Sequence, residues 1–62
     1  MYNKDIRAEM KKAKLYKHNI ARHIGKSEQT FDKMLNGGEL SDGDKAIILI
    51  SIKEIMEARQ LT

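Results

Sequence analysis

Residues 17–37 read Lys17-His18-Asn19-Ile20-Ala21-Arg22-His23-Ile24-Gly25-Lys26-Ser27-Glu28-Gln29-Thr30-Phe31-Asp32-Lys33-Met34-Leu35-Asn36-Gly37, and this stretch decides the fold. Ile20, Ala21 and Ile24 share one face of a short helix. Gly25 ends it, because a helix terminus often needs a left-handed residue and glycine takes that conformation at little cost. Ser27 is the expected N-cap of a second helix, with Glu28 at its positive end. Phe31, Met34 and Leu35 recur on one face of that helix, and Asn36-Gly37 closes it. Ala21 is small enough to let two steeply crossing helices approach. The expectation is two helices joined by a tight turn, a helix-turn-helix over 17–36. A plain helical bundle with Gly25 and Gly37 as ordinary caps is the other arrangement these residues allow.

The same residues carry a family resemblance. Ile20-Ala21, Ile24-Gly25, Ser27, Thr30-Phe31 and Asn36-Gly37, in this register, resemble the lambda-repressor/Cro (XRE-type) helix-turn-helix family. The resemblance implies an all-α fold: a compact four-to-five-helix lambda-repressor-like DNA-binding domain, here with a long apolar C-terminal helix. It implies that the second helix of the pair enters the major groove of an operator. Glu28, Gln29 and Lys33 then stand where the family reads bases, with Ser27 at the phosphate edge. The chemistry suits each: Gln29 can pair with adenine, Lys33 can donate to guanine and Glu28 can accept from cytosine. Lys17 and His18, at the start of the first helix of the pair, take the family's position for gripping the backbone. Lys17 replaces the usual glutamine and would add affinity without reading sequence.

This sequence departs from the family in several places. Tyr16 stands where a Ser or Thr cap is usual. Lys26 replaces an apolar residue, so its stem is expected to cover the core while its amine stays in water. Met10 and Leu35 stand where many members pair an arginine with a glutamate; an apolar contact avoids desolvating two charges. Glu28 and Asp32 on the DNA-facing side repel phosphates. The loop Gly37–Asp44 carries Glu39, Asp42 and Asp44 where relatives place Lys or Arg, with Lys45 alone beyond it. Leu40 is expected to turn back into the core and Ser41 to cap the last helix.

Charge is unevenly spread over the 62 residues. Residues 1–26 hold eight Lys or Arg against two acids, a balance of +6; residues 27–62 hold four against seven, −3, which together give the net +3. A basic half fits a polyanionic partner, although a lysine run is also an ordinary solvated face. Asn3 is the expected N-cap of a first helix reaching about Lys14, with Ile6, Met10 and Ala13 as its buried stripe. The length fits one domain with little surface to bury. There is no Cys, which excludes disulfides and thiolate metal sites and fits a reducing cytoplasm. No apolar run is long enough to span a bilayer, and no signal peptide is read.

His18 and His23 lie about 500° apart at ~100° per residue, too divergent for a shared metal. No nucleophile with a base and no phosphate loop appears, so neither an enzyme nor a cofactor is expected. The last helix, about 42–60, contains AIILISIKEIMEA. Ile47, Ile48, Leu49, Ile52, Ile55 and Met56 cover a wide arc, while Ile50 and Leu61 fall beyond it. That excess predicts a second buried surface, a homodimer through Ile50, Ile55, Arg59 and Leu61. The opposing expectation is that so small a domain uses every isoleucine in its own core. The function these features predict is a small sequence-specific regulator of phage or mobile-element type, bound to double-stranded DNA. The alternative is a modulator or antirepressor that keeps the fold but binds a repressor protein, a reading the acidic groups favour.

Overall fold

The computed structural model describes residues 1–60, so the interface expected at Leu61 lies outside the described residues. Four helices make up this part of the chain: α1 (Lys4–Ala13), α2 (Lys17–His23), α3 (Glu28–Asn36) and α4 (Asp42–Gln60). No strand occurs among the described residues, and no helix there is long and apolar enough to cross a membrane. The isoleucine-rich stretch is helical throughout. The radius of gyration is 11.1 Å, close to the ~11 Å of a folded chain this long.

One core holds the four helices. Ile6 and Met10 of α1, Ile20 and Ala21 of α2, Phe31 and Leu35 of α3, and Ile48 and Ile52 of α4 are buried in it. Leu15, between α1 and α2, joins them. Ala13, Ile24, Leu40, Leu49, Ile55 and Met56 pack on its margin. Leu40 therefore turns inward as expected, and Met10 and Leu35 share the core. Met34 is only half-buried.

The turn between α2 and α3 follows local rules. Gly25 has φ +76°, the left-handed region that costs other residues a steric clash. Lys26 N–H donates to Ala21 C=O at 2.8 Å, which closes α2. Ser27 Oγ accepts from Thr30 N–H at 3.1 Å and caps α3. At α4, Ser41 Oγ accepts from Asp44 N–H at 3.2 Å in the same way. Tyr16 gives α2 no side-chain cap. Asn19 compensates, its Oδ1 accepting from Tyr16 N–H at 2.9 Å.

Asn3 corrects the sequence expectation. Its side chain does not cap α1; it is fully buried, on a backbone of φ 58°. Nδ2 donates to Leu35 C=O and Gly38 C=O, both at 3.0 Å, and Oδ1 accepts from Leu40 N–H at 2.9 Å. Asparagine is among the few residues that enter the left-handed region readily, and its amide both donates and accepts. Those two properties let it fasten the start of the chain to the α3–α4 loop. Arg7 adds to the joint, donating to Leu35 C=O at 3.2 Å and Asn36 Oδ1 at 2.7 Å.

Candidate functional site

α3 divides cleanly. Phe31 and Leu35 are wholly buried, while Glu28, Gln29, Thr30 and Lys33 are exposed. Its positive end carries the Ser27 cap and Glu28, both favourable to the helix dipole. The exposed groups are long and polar, with donors and acceptors at their tips. Such a face is suited to reading a polar surface and gains nothing from burial in an apolar one.

The docking of α2 on α3 brings Lys17 to this face. Lys17, Glu28, Gln29 and Asp32 line one shallow depression of about 240 Å³. Within it, Lys17 Nζ donates to Asp32 Oδ1, an ion pair between half-exposed side chains. The lysine beside it holds the Asp32 carboxyl below the usual carboxylate range, with a smaller contribution from the Asn36 side chain. The cation expected to meet phosphate and the carboxylate expected to repel it therefore neutralise one another. Sequence spacing does not reveal this contact, because it depends on how the two helices cross.

The other candidate residues are dispersed around this centre. His18 is exposed and stacks on Tyr16, ring centroids 5.7 Å apart and planes within 7°. Lys26 and Lys33 are exposed. His23 points to α4 instead, its Nε2 lying 3.2 Å from Glu54 Oε1. The two histidines thus have separate partners.

Of the acidic loop, Glu39 is tied inward, while Asp42 and Asp44 are exposed in the first turn of α4. Glu39 Oε1 accepts from Asn3 N–H at 2.8 Å, and Glu39 Oε2 lies 3.0 Å from Lys45 Nζ. Lys45 also reaches Asp5 at 3.5 Å. The Asn3 amide first, and Lys45 second, depress the Glu39 pKa; Glu39 in turn raises that of Lys45. Lys45 therefore serves the joint between α1 and α4. Of the basic half, Arg7 is likewise engaged with the end of α3.

Of the residues expected at a dimer interface, the described ones, Ile50, Ile55 and Arg59, do not share one environment. Ile50 is 57% exposed, next to Ile47 at 56%, whereas Ile55 packs against the core. Arg59 is exposed in the last turn of α4. Ile47, counted from the sequence with the inward arc, stands with Ile50 in solvent. Ser51 explains part of the difference. It occupies a buried position on the inward side, its Oγ donating to Ile47 C=O at 2.9 Å.

Comparison with family models, with curated proteins and with solved structures returned no match to this chain.

Proposed function

We propose that this chain is a small sequence-specific DNA-binding regulator with a lambda-repressor-like arrangement, in which α3 lies in the major groove. The observation that carries the reading is the convergence of Lys17 with Glu28, Gln29 and Asp32 around the exposed first turns of a well-capped helix. Gln29 and Lys33 offer base-edge contacts, with Glu28 as an acceptor for cytosine. Exposed Lys26 and His18 flank them as groups for the phosphate backbone. The internal ties of Glu39 weaken the case for an acidic docking loop, and with it the antirepressor alternative.

The Lys17–Asp32 pair gives this interface a built-in control of affinity. On DNA, Lys17 must exchange a carboxylate for a phosphate, so its net gain is smaller than that of an unpaired lysine. The deciding experiment measures binding to DNA fragments from around the chain's own gene at several salt concentrations. Affinity should fall steeply as salt rises. Gln29→Ala should cost ~1–3 kcal/mol on the operator and much less on random DNA. Asp32→Asn should tighten binding to all sequences, and Lys17→Ala should weaken it and flatten the salt slope by about one unit. Absence of binding at low salt, together with capture of a repressor protein through the same face, would overturn the proposal in favour of the antirepressor.

A further inference from the structure

One flank of α3 is tied to both of the helices before it. Arg7 of α1 donates to Asn36 Oδ1, and Lys17 at the start of α2 pairs with Asp32. Asn36 and Asp32 are one turn apart, so they share a side of α3. In the chain, Lys11 and Lys14 lie between these two anchors. Lys11 is one turn beyond Arg7 and stands on the same side of α1. Lys12 is turned about 100° further round the helix, and there it lines the groove between α1 and α4. Lys11 and Lys14 are exposed, and no ion pair printed by the geometry of the described residues involves either.

Lys14 is the residue on which α1 ends. It has φ 56°; its N–H donates to Lys11 C=O at 3.1 Å, and Leu15 N–H donates to Met10 C=O at 3.0 Å. Glycine is the usual occupant of such a position, because a side chain is strained there. Here a lysine accepts that strain, and its ammonium group meets no acceptor within the described residues. Strain of this kind points outward, to a partner beyond the chain.

We infer that Lys11 and Lys14 form, with Lys17, a phosphate-binding ridge for the DNA strand that borders the groove entered by α3. The inference rests on the reading of α3 as a DNA-binding helix and adds to it the strand on the α1 side. A helix in the major groove has a phosphate backbone on either hand, and contacts to it fix orientation without reading sequence. Beside the Asp32–Asn36 flank the cations are Arg7, Lys11, Lys14 and Lys17. Arg7 and Lys17 already have acceptors on α3. Lys11 and Lys14 can take phosphates without first giving up a partner, so each should release its full share of counterions. The acids of α1 do not interrupt the ridge. Asp5 and Glu9 line the groove on the Lys12 side, and Asp5 is held by Lys45. On α3, Lys17 offsets Asp32, which leaves Glu28 at the far end of the flank as the opposing charge.

Fluorescence anisotropy over a salt series tests the ridge, with a duplex from around the chain's own gene and a random duplex of equal length as probes. Circular dichroism confirms that each variant is folded. Lys11→Gln and Lys14→Gln should each weaken binding about five- to tenfold at ~0.1 M salt and flatten the salt slope by about one unit, on both duplexes alike. Lys12→Gln removes the same charge one residue away and should leave the slope unchanged. Lys14→Gly separates ligand from fold: it should raise the melting temperature by relieving the backbone, yet weaken DNA binding as much as Lys14→Gln. Equal losses from Lys11→Gln and Lys12→Gln would mean that net charge alone acts, and would overturn the ridge while leaving the reading of α3 intact. Full binding by Lys14→Gly would also overturn it. A wild type that binds neither duplex at low salt would overturn both.

Discussion

The two ends of α3 are held by different means. At its N-terminal end, everything needed lies within a few residues: Gly25 turns the chain and Ser27 caps the helix. At its C-terminal end, the restraints come from the far end of the sequence. Asn3 and Arg7 bind Leu35 C=O, and Asn3 also binds Gly38 and Leu40. A locally held end keeps its geometry while the rest of the chain moves. A remotely held end depends on the whole fold being formed. The face proposed to read DNA is built on the locally held end, and the joint that positions it against α1 lies at the other.

The largest effect should follow from cutting the remote end. Asn3→Ala leaves Gly38 C=O and Leu40 N–H without their side-chain partner, leaves Leu35 C=O to Arg7 alone, and places alanine at φ 58°. The expected cost is about 3 kcal/mol or more. For a domain of this size that is a large share of the total stability. Asn3→Gly loses the same hydrogen bonds but not the backbone conformation, and should be milder by about 1 kcal/mol. Urea denaturation of the two variants separates the two contributions. Equal stability of wild type and Asn3→Ala would remove the remote end from the comparison.

The local end should respond less. Gly25 has nothing within 4 Å of where a Cβ would stand, so substitution there meets no neighbour and tests the backbone alone. Gly25→Val should cost ~1–2 kcal/mol, since a β-branched residue is strained at φ +76°. Gly25→Asn should recover part of that loss. Ser27→Ala should cost ~1 kcal/mol by uncovering Thr30 N–H, and Ser27→Thr should restore it. Thermal melting reads all four variants. If Ser27→Ala proved costlier than Asn3→Ala, the ranking of the two ends would be reversed.

This difference also explains what could be read from the sequence. Gly25, Ser27 and the Phe31/Leu35 stripe obey rules that act over one or two turns, so α2, the turn and α3 are legible in residues 17–37. The exposed Glu28, Gln29 and Lys33 follow from the same periodicity. Asn3 sits where a cap is usual, so local reasoning assigns it to its own helix. Its actual partners lie 32 to 37 residues away, and no short pattern encodes them. The Lys17–Asp32 pair escapes for a related reason, as it spans two helices whose crossing is set by the core. On α4 the isoleucines are too many for periodicity to choose among. The inward face becomes clear only where Ser51 is buried and Ile47 is not.

The smallest effect is a dependence on pH, carried at the remote end by Glu39. Glu39 joins Asn3 N–H to Lys45, and both partners lower its pKa in the folded protein. A carboxylate depressed by folding contributes stability that is complete above its unfolded-state pKa and is lost as pH falls through its folded value. Asp32, depressed by Lys17, adds to the same acid limb. Lys45 acts in the opposite sense: its raised pKa contributes stability below the unfolded-state value and loses it as pH rises through the folded one. Melting temperature should therefore be level near neutrality and fall toward pH 3, with a second decline at strongly alkaline pH. Glu39→Gln should lower it slightly at pH 7 and make the acid limb shallower, so that the two curves converge in acid. Glu39 is more than half exposed, so solvent screening keeps the change small. Neither Gly25 nor the Ser27 cap titrates, so amide exchange at pH 4 should loosen residues 37–41 before 27–31. Parallel melting curves for wild type and Glu39→Gln, with both ends of α3 exchanging together, would mean that Asn3 holds the joint without help from the carboxylate.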